Sequence, residues 1–142
     1  MAARTMKRLL QKWLKRRQPP SAPSDQSGRG WIGVDLDGTL AHYDEWLGPH
    51  HIGDPIEPMV ARIRAWQASG VEVRIFTARA SDYRHRRFVE LWLERHELCG
   101  LKVTNQKDYG MIELWDDRCV QIRTNSGEPV SSFFHQQEQT SS

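Results

Sequence analysis

Four aspartates, arranged in two pairs, have the residue type and spacing of a metal-assisted site. Asp35 and Asp37 come at the end of one short apolar run, and Asp116 and Asp117 come at the end of another. Carboxylates that gather in one place repel one another unless a cation lies among them. Because hard oxygen ligands favour a hard cation, the two pairs indicate Mg²⁺.

Two further side chains suit a phosphate group. Lys107 carries a point charge that can neutralise a phosphate or a carboxylate nucleophile, and the hydroxyl of Thr77 can donate to a phosphoryl oxygen. A carboxylate can itself attack phosphorus and form an aspartyl-phosphate. Together with the acids, these residues indicate phosphoryl transfer, in which charge neutralisation and positioning supply most of the catalysis.

These residues form one site only if the chain brings its strand ends together. The strands are predicted at 31–36, 71–77, 101–104, 111–116 and 119–123, and the helices at 56–69 and from the caps Ser81 and Asp82 to about 97. This alternation predicts an α/β, three-layer Rossmann-like domain with a parallel five-stranded sheet. Because ligands bind beyond the carboxyl ends of such strands, Asp35, Thr77 and Asp116 should converge.

The composition is that of a soluble globular protein, with 38% hydrophobic and 27% charged residues among 142. No apolar run is long enough to span a membrane, and the two cysteines have neither metal-ligand spacing nor a disulfide pattern. These features favour a reducing cytoplasm. The net charge of +2 is uneven. Residues 1–30 hold eight Lys/Arg and one acid, whereas residues 31–142 hold twelve Lys/Arg and seventeen acids.

Three segments are predicted along the chain. Residues 1–30 form a basic arm with an amphipathic helix and a flexible Pro/Ser/Gly linker, residues 31–123 form the α/β domain, and residues 124–142 form a polar, disordered tail. The apolar stripe of the arm consists of Met6, Leu9, Leu10, Trp13 and Leu14. The arm suits a docking segment, a contact with nucleic acid or an anionic surface through residues 4–17, or a targeting peptide.

The order of the candidate site residues resembles the four signatures of the haloacid dehalogenase-like (HAD) hydrolases. The matching segments are GVDLDGTL at 33–40, RIFTAR at 74–79, Lys107, and ELWDD at 113–117. The resemblance extends over residues 31–123. It implies a HAD-like fold and a Mg²⁺-dependent phosphatase, which is a hydrolase acting on phosphoric ester bonds.

The resemblance implies a role for each catalytic side chain. Asp35 is the nucleophile that carries the phosphoryl group, and Asp37 protonates the leaving oxygen and later activates water. Thr77 orients the phosphoryl oxygens, and Lys107 offsets the charge of Asp35 and of the intermediate. An acid at position 37 favours phosphatase over dehalogenase chemistry.

The same resemblance implies the metal ligands. Asp116 binds Mg²⁺ together with Asp35 and the backbone carbonyl of Asp37. Asp117 supports the metal shell, either directly or through water.

The predicted domain is capless and therefore has an open site. Thr39 and Thr77 are 38 positions apart, and Thr77 and Lys107 are 30 apart, which leaves no room for an inserted cap. The flap 41–53 is then the local specificity element. It holds possible walls for a base or sugar, which are His42, Tyr43, Trp46, His50 and His51. Thr39 and Arg79 are the candidate substrate-binding residues, although Arg79 is equally suited to a salt bridge with a loop acid.

Three functions fit this pattern. The first is a phosphatase acting on nucleotides, nucleic-acid ends or another large phosphorylated substrate, as capless relatives often do. The second is a module that binds Mg²⁺ and a phosphorylated ligand without turnover, although binding alone needs no acid/base residue at Asp37. The third is a phosphotransferase that passes the phosphoryl group from Asp35 to an acceptor other than water.

Overall fold

The computed structural model of this chain describes residues 30–130, which contain a parallel sheet of four strands. The strands are β1 (Trp31–Val34), β2 (Glu72–Phe76), β3 (Lys102–Thr104) and β4 (Met111–Trp115). Their order across the sheet is β3-β2-β1-β4, and every pairing is parallel. The predicted α/β class is confirmed, as are four of the five predicted strands. The predictions for residues 4–17 and for the tail beyond Val130 lie outside the described residues.

Two helices connect the first three strands. They are α1 (Glu57–Ala68) and α2 (Tyr83–Arg95), with a short 3₁₀ helix, Ala78–Ser81, before α2. Pro58 lies in the first turn of α1, where its missing N–H costs no helical hydrogen bond. Asp82 caps α2, because its carboxylate accepts from the N–H of Arg84 at 2.8 Å. Both predicted helices are confirmed, and no helix of the described residues is long and apolar enough to cross a membrane.

Both helices pack on the same face of the sheet. The strand register aligns Ile32 with Val73 and Val34 with Ile75, so these four side chains share a face. The core on that face is completed by Met59, Val60 and Ile63 of α1 and by Val89, Trp92 and Leu93 of α2. Two successive right-handed crossovers in one direction, from β1 to β2 to β3, place their helices on one side of a sheet.

The third layer that the sequence predicts is not formed by residues 30–130. β3 and β4 lie at opposite edges of the sheet, yet only residues 105–110 connect them, and this segment contains no helix. Three inter-strand spacings take about 14 Å, whereas a segment of this length spans at most about 20 Å when fully extended. The connection therefore has no length to spare for a helix, and this part of the chain has two layers rather than three.

The predicted fifth strand at 119–123 was wrong. This segment leaves the sheet after β4 and folds back on itself, because the N–H of Arg123 donates to the carbonyl of Glu128 at 2.9 Å. Val120 and Ile122 remain about half exposed. The segment therefore pairs locally in a small hairpin, and it buries too little apolar surface to be drawn into the sheet.

Asp108 holds the segment 105–110 against the face of the sheet opposite the helices. The indole Nε1 of Trp31 donates to Asp108 Oδ1 at 2.7 Å, and the guanidinium of Arg74 donates to Asp108 Oδ2 at 3.1 Å. The guanidinium also lies 4.4 Å from the centre of the Trp31 ring. The hydrogen bond from Trp31, followed by that from the N–H of Gly110, lowers the pKa of Asp108.

Replacing Asp108 by Ala should lower the free energy of unfolding by about 1–3 kcal/mol, because the buried N–H of Trp31 loses its acceptor. The folded pKa of Asp108 lies below its unfolded value near 4. Its carboxylate therefore contributes fully above about pH 4, and the contribution is lost as the pH falls through the lowered folded pKa. Urea unfolding of both proteins near pH 7 and near pH 3 measures this effect.

The difference between wild type and Asp108→Ala should shrink at the lower pH. Asp44→Ala, at an exposed acid, serves as the control and should change the free energy of unfolding by less than about 0.5 kcal/mol. A difference that does not vary with pH would show that the charge of Asp108 contributes nothing to folding.

Candidate active site

The carboxyl ends of β1 and β4 bring three of the predicted acids together. Asp35 follows β1 directly, and its N–H donates to the carbonyl of Trp115 at 2.9 Å. Asp116 and Asp117 follow β4, which is the neighbouring strand. Carboxylate oxygens of Asp35, Asp116 and Asp117 lie within 4.8 Å of one another. No other set of three metal-ligating side chains is this close within residues 30–130.

The turn after β1 is shaped to receive Asp117. Gly38 has a φ of +88°, and a Cβ at this position would lie 2.5 Å from Asp117 Oδ2, so the turn requires glycine. The hydroxyl of Thr39 accepts from the N–H of Asp117 at 3.1 Å. It also lies 3.1 Å from Asp117 Oδ1 and 3.4 Å from Asp35 Oδ2, so it can donate its one hydrogen to either carboxylate. Thr39 thus ties the two loops together, while its contact with substrate stays a prediction.

Burial and the neighbouring acids together raise the pKa of Asp35 to about 7. Burial of the carboxyl group is the largest cause, and the charge of Asp116 is the next. A divalent cation among the three carboxylates would offset their charges. The donors are all hard oxygens, so Asp35, Asp116 and Asp117 fit Mg²⁺. The carboxylate of Asp37 lies outside this cluster, and the predicted metal contact through its backbone carbonyl stays a prediction.

Asp37 is paired with Arg79. Arg79 Nε donates to Asp37 Oδ2 at 2.7 Å and Nη2 donates to Oδ1 at 2.9 Å, which makes a bidentate ion pair. The arginine side chain is only 5% exposed. Of the two roles that the sequence left open for Arg79, the structure contains the salt bridge. Its partner is the very residue that is predicted to transfer protons.

The same guanidinium holds the flap. Its Nη1 donates to the carbonyl of Pro49 at 2.9 Å, and its Nη2 also donates to the carbonyl of His51 at 3.0 Å. Its central carbon lies 4.7 Å from the centre of the Trp46 ring. Four of the five guanidinium N–H groups are therefore engaged. Arg79 fixes the flap relative to Asp37, and its predicted contact with a substrate stays a prediction.

Asp35, Asp37 and Asp116 line one cleft of about 580 Å³. This volume lies within the range of small-molecule sites. The remaining walls combine aromatic and polar side chains. They include Tyr43, Trp46, Phe76, Thr77, Ser81, Asn105 and Arg118. Tyr43 and Trp46 are two of the flap residues that the sequence singled out as walls.

Thr77 lies buried at the end of β2 and lines this cleft. Its Oγ1 accepts from the N–H of Arg79 at 3.2 Å and so caps the 3₁₀ helix. Within the described residues the Thr77 hydroxyl donates to no protein group, so its hydrogen is available to a phosphoryl oxygen. The structure therefore brings Thr77 to the same cleft as Asp35 and Asp37.

Lys107 is exposed on the segment 105–110 and forms no ion pair with an acid of residues 30–130. The thiol of Cys119 is influenced by both Lys107 and the acidic cluster. Burial raises the pKa of Cys119, the charges of Asp116 and Asp35 raise it further, and the charge of Lys107 lowers it. Lys107 thus acts on the same thiol as Asp35 and Asp116, and its catalytic role stays a prediction.

Several cleft residues were missed by the sequence-based assignment, among them Phe76, Asn105 and Arg118. Phe76 directly precedes Thr77, Asn105 follows β3, and Arg118 follows the second acidic pair. These three residues lie at carboxyl ends of strands, where parallel sheets bind their ligands. The rule that selected the aspartates would have selected these residues as well.

Comparisons with protein-family models, with curated proteins and with solved structures give no match to this chain. The resemblance to HAD hydrolases therefore rests on the four sequence segments alone.

Proposed function

We propose that this chain is a Mg²⁺-dependent phosphomonoester hydrolase of the HAD type that works through an aspartyl-phosphate on Asp35. The observation that carries the proposal is the clustering of the carboxylates of Asp35, Asp116 and Asp117, of which Asp35 and Asp116 line one cleft with Asp37 and Thr77. Oxygen-rich clusters of this kind suit phosphoryl transfer, where positioning and charge neutralisation dominate catalysis.

The first step forms the covalent intermediate. A carboxylate oxygen of Asp35 attacks phosphorus, and the bond between phosphorus and the leaving oxygen breaks. Asp37 gives its proton to that oxygen, so the product leaves as an alcohol. Arg79 occupies two of the roughly four lone-pair sites on the Asp37 carboxylate, which leaves sites on which a proton can be carried. Thr77 donates to a phosphoryl oxygen.

The second step regenerates the enzyme. Water attacks the phosphorus of the aspartyl-phosphate, and Asp37 takes the proton that this water loses. The bond between phosphorus and the Asp35 oxygen breaks, inorganic phosphate leaves, and Asp35 returns as a carboxylate. Asp35, Asp116 and Asp117 would hold the metal, and bound Mg²⁺ supplies positive charge that offsets the phosphoryl oxygens.

A second candidate function is binding of a phosphorylated ligand without turnover. The observation that favours it is the ion pair in which both Asp37 oxygens accept from Arg79. An acid/base residue held in this way is suited to organising a pocket as well as to moving protons. Hydrolysis assays separate the two functions directly.

The purified chain should release phosphate from p-nitrophenyl phosphate with Mg²⁺ and lose this activity when a chelator removes the metal. Asp117→Asn should raise the Mg²⁺ concentration for half-maximal rate by about 10–100-fold, because it removes one charge and one oxygen donor from the cluster. Asp54→Asn, at an exposed acid outside the cluster, is the matched control and should keep the wild-type value.

Two outcomes would count against the proposal. One is the absence of hydrolysis across a broad panel of phosphate esters with Mg²⁺. The other is a rate that survives complete removal of divalent cations.

A further inference from the structure

The cleft beside the acidic cluster has three aromatic walls. Tyr43 and Trp46 come from the flap, and Phe76 comes from the end of β2. A bare phosphate needs hydrogen-bond donors and positive charge, and it gains nothing from aromatic surface. These aromatic side chains therefore indicate the chemistry of the organic group to which the phosphate is attached.

Trp46 is the most exposed of these large rings. It is 53% exposed, although the guanidinium of Arg79 already covers one of its faces at 4.7 Å. Most of the exposed surface therefore belongs to the opposite face and the ring edge. An indole left open in this way beside a cleft presents a flat surface on which a second planar ring can stack.

The Trp46 ring is also held in place by Arg79, which packs against one of its faces. Arg79 is bound by the carboxylate of Asp37 and by the carbonyls of Pro49 and His51. Because the Arg79 guanidinium is fixed, the Trp46 ring loses little conformational freedom when a ligand stacks on it. The entropic cost of binding is therefore small. The arrangement is thus already organised before a ligand arrives.

Polar groups in the same cleft suit the other parts of a nucleotide. Asn105 offers an amide that can both donate to and accept from a base edge, and Arg118 offers positive charge to a phosphate or sugar oxygen. The cleft volume of about 580 Å³ lies within the range of sites for small ligands. A phosphorylated sugar without a base would leave the open face of Trp46 unused.

We propose that the substrate is a nucleoside phosphate whose base stacks on Trp46 while its phosphate lies against Asp35 and Thr77. This inference rests on the proposed phosphohydrolase function and names its substrate class. The nucleotide can be free or can form the end of a strand, because both present the same phosphate, sugar and base. Base–aromatic stacking tolerates every base, so no single base is singled out.

The test compares a nucleotide with the matching sugar phosphate that lacks the base, and adds a strand end as a third substrate. The kcat/KM is measured with Mg²⁺ for adenosine 5′-monophosphate, for ribose 5-phosphate, and for an oligonucleotide with a 5′-phosphate. The wild type should prefer adenosine 5′-monophosphate over ribose 5-phosphate by about tenfold or more, as one stacking contact supplies. Activity on the oligonucleotide as well would identify strand ends as a source, and activity on the free nucleotide alone would identify free nucleotides. Either result supports the proposal.

Trp46→Ala should lower the ratio of the two kcat/KM values by about tenfold, and Trp46→Phe should restore most of it because a ring is restored. The matched control is Leu47→Ala. Leu47 is the next residue of the flap and is equally exposed at 53%, but it lines a neighbouring cavity instead of this cleft. The substrate ratio of this control should stay at the wild-type value.

Failure of the substrate class and failure of the function give different results. Equal kcat/KM for adenosine 5′-monophosphate and ribose 5-phosphate, with hydrolysis intact, overturns the nucleoside proposal alone. No hydrolysis of either compound overturns the phosphohydrolase function, and calorimetric titration with adenosine 5′-monophosphate then decides the binding question. Binding that Trp46→Ala weakens about tenfold supports stacking, whereas no binding, or equal binding by both proteins, overturns it.

Discussion

Asp35→Asn should lose about 10³-fold or more of the Mg²⁺-dependent phosphatase activity while gaining thermal stability in the absence of metal. An amide cannot replace the carboxylate as nucleophile, so the first step of the proposed mechanism has no substitute. The gain in stability has a separate origin. Asn carries no charge beside Asp116 and Asp117, so the burial and repulsion that raise the pKa of Asp35 to about 7 no longer oppose folding.

The gain in stability should depend on pH in one direction. Asp35 ionises near pH 4 in the unfolded chain and near pH 7 in the folded one. The wild type therefore loses stability as the pH rises from about 4 to about 7, and the loss is complete above that value. Asp35 is half-buried and partly screened by solvent, so the expected gain above pH 7 is on the order of 1–2 kcal/mol, or roughly 5–10 °C.

Thermal unfolding with and without Mg²⁺, measured beside phosphate release, checks both parts of this prediction. The wild type and Asp35→Asn should melt together near pH 4 and separate near pH 8. Mg²⁺ should raise the melting temperature of the wild type more than that of Asp35→Asn, because the variant holds the ion less tightly. Asp54→Asn is the control for loss of one acidic charge. A variant that keeps a tenth of the activity would identify a different nucleophile, and identical melting near pH 8 would show that the three carboxylates do not repel.

Four strands could be predicted because each has its own local signal. Each is a short apolar run that ends at an acid, a threonine or a glycine, and the predicted bounds differ from the observed ones by two residues or fewer. The segment 119–123 has a similar apolar pattern but pairs within its own hairpin. Whether an apolar segment joins a sheet depends on a free strand edge and on buried area, which a local pattern does not contain. The missing third layer has the same cause, since it depends on how far residues 105–110 must reach.

The convergence of the acids could be predicted because parallel strands bring their carboxyl ends to one edge whatever their separation in sequence. Asp35, Thr77 and Asp116 obey this rule. The pair formed by Asp37 and Arg79 joins residues that are 42 positions apart, and its geometry depends on the path of the flap. The strand order explains why Asp37 and Arg79 can pair. Because β1 and β2 are neighbours, side chains that follow them by three residues come within reach of one another.

Arg79→Lys should lower kcat by about 10²-fold for alkyl phosphates and by much less for p-nitrophenyl phosphate. Lys keeps the charge but donates from a single point, so it cannot form the bidentate pair with Asp37 while also holding two flap carbonyls. Asp37 then loses the orientation with which it protonates the leaving oxygen, a contribution of about 10²–10⁴-fold in such reactions. Nitrophenolate leaves readily without a proton, so its release depends less on Asp37.

The dependence of the rate on the leaving group distinguishes a loss of Asp37 positioning from a loss of folded protein. Removing the guanidinium altogether in Arg79→Ala should destabilise the protein by about 3 kcal/mol, because the carboxylate of Asp37 loses its buried partner. A smaller folded fraction, however, lowers the rates for both substrate types by the same factor. Arg84→Lys is the matched control, because its ion pair with Asp82 is exposed to solvent and should leave both the stability and the two rates near the wild-type values.

Asp37→Asn provides the reference for loss of the acid, and it should show the same leaving-group dependence as Arg79→Lys. If the two variants agree, Arg79 acts through Asp37 as a positioning residue for the proton transfer. If Arg79→Lys lowers both rates equally, its guanidinium serves only to hold the flap. The buried ion pair would then belong to the walls of the cleft, and the orientation of Asp37 would have to come from its own turn after β1.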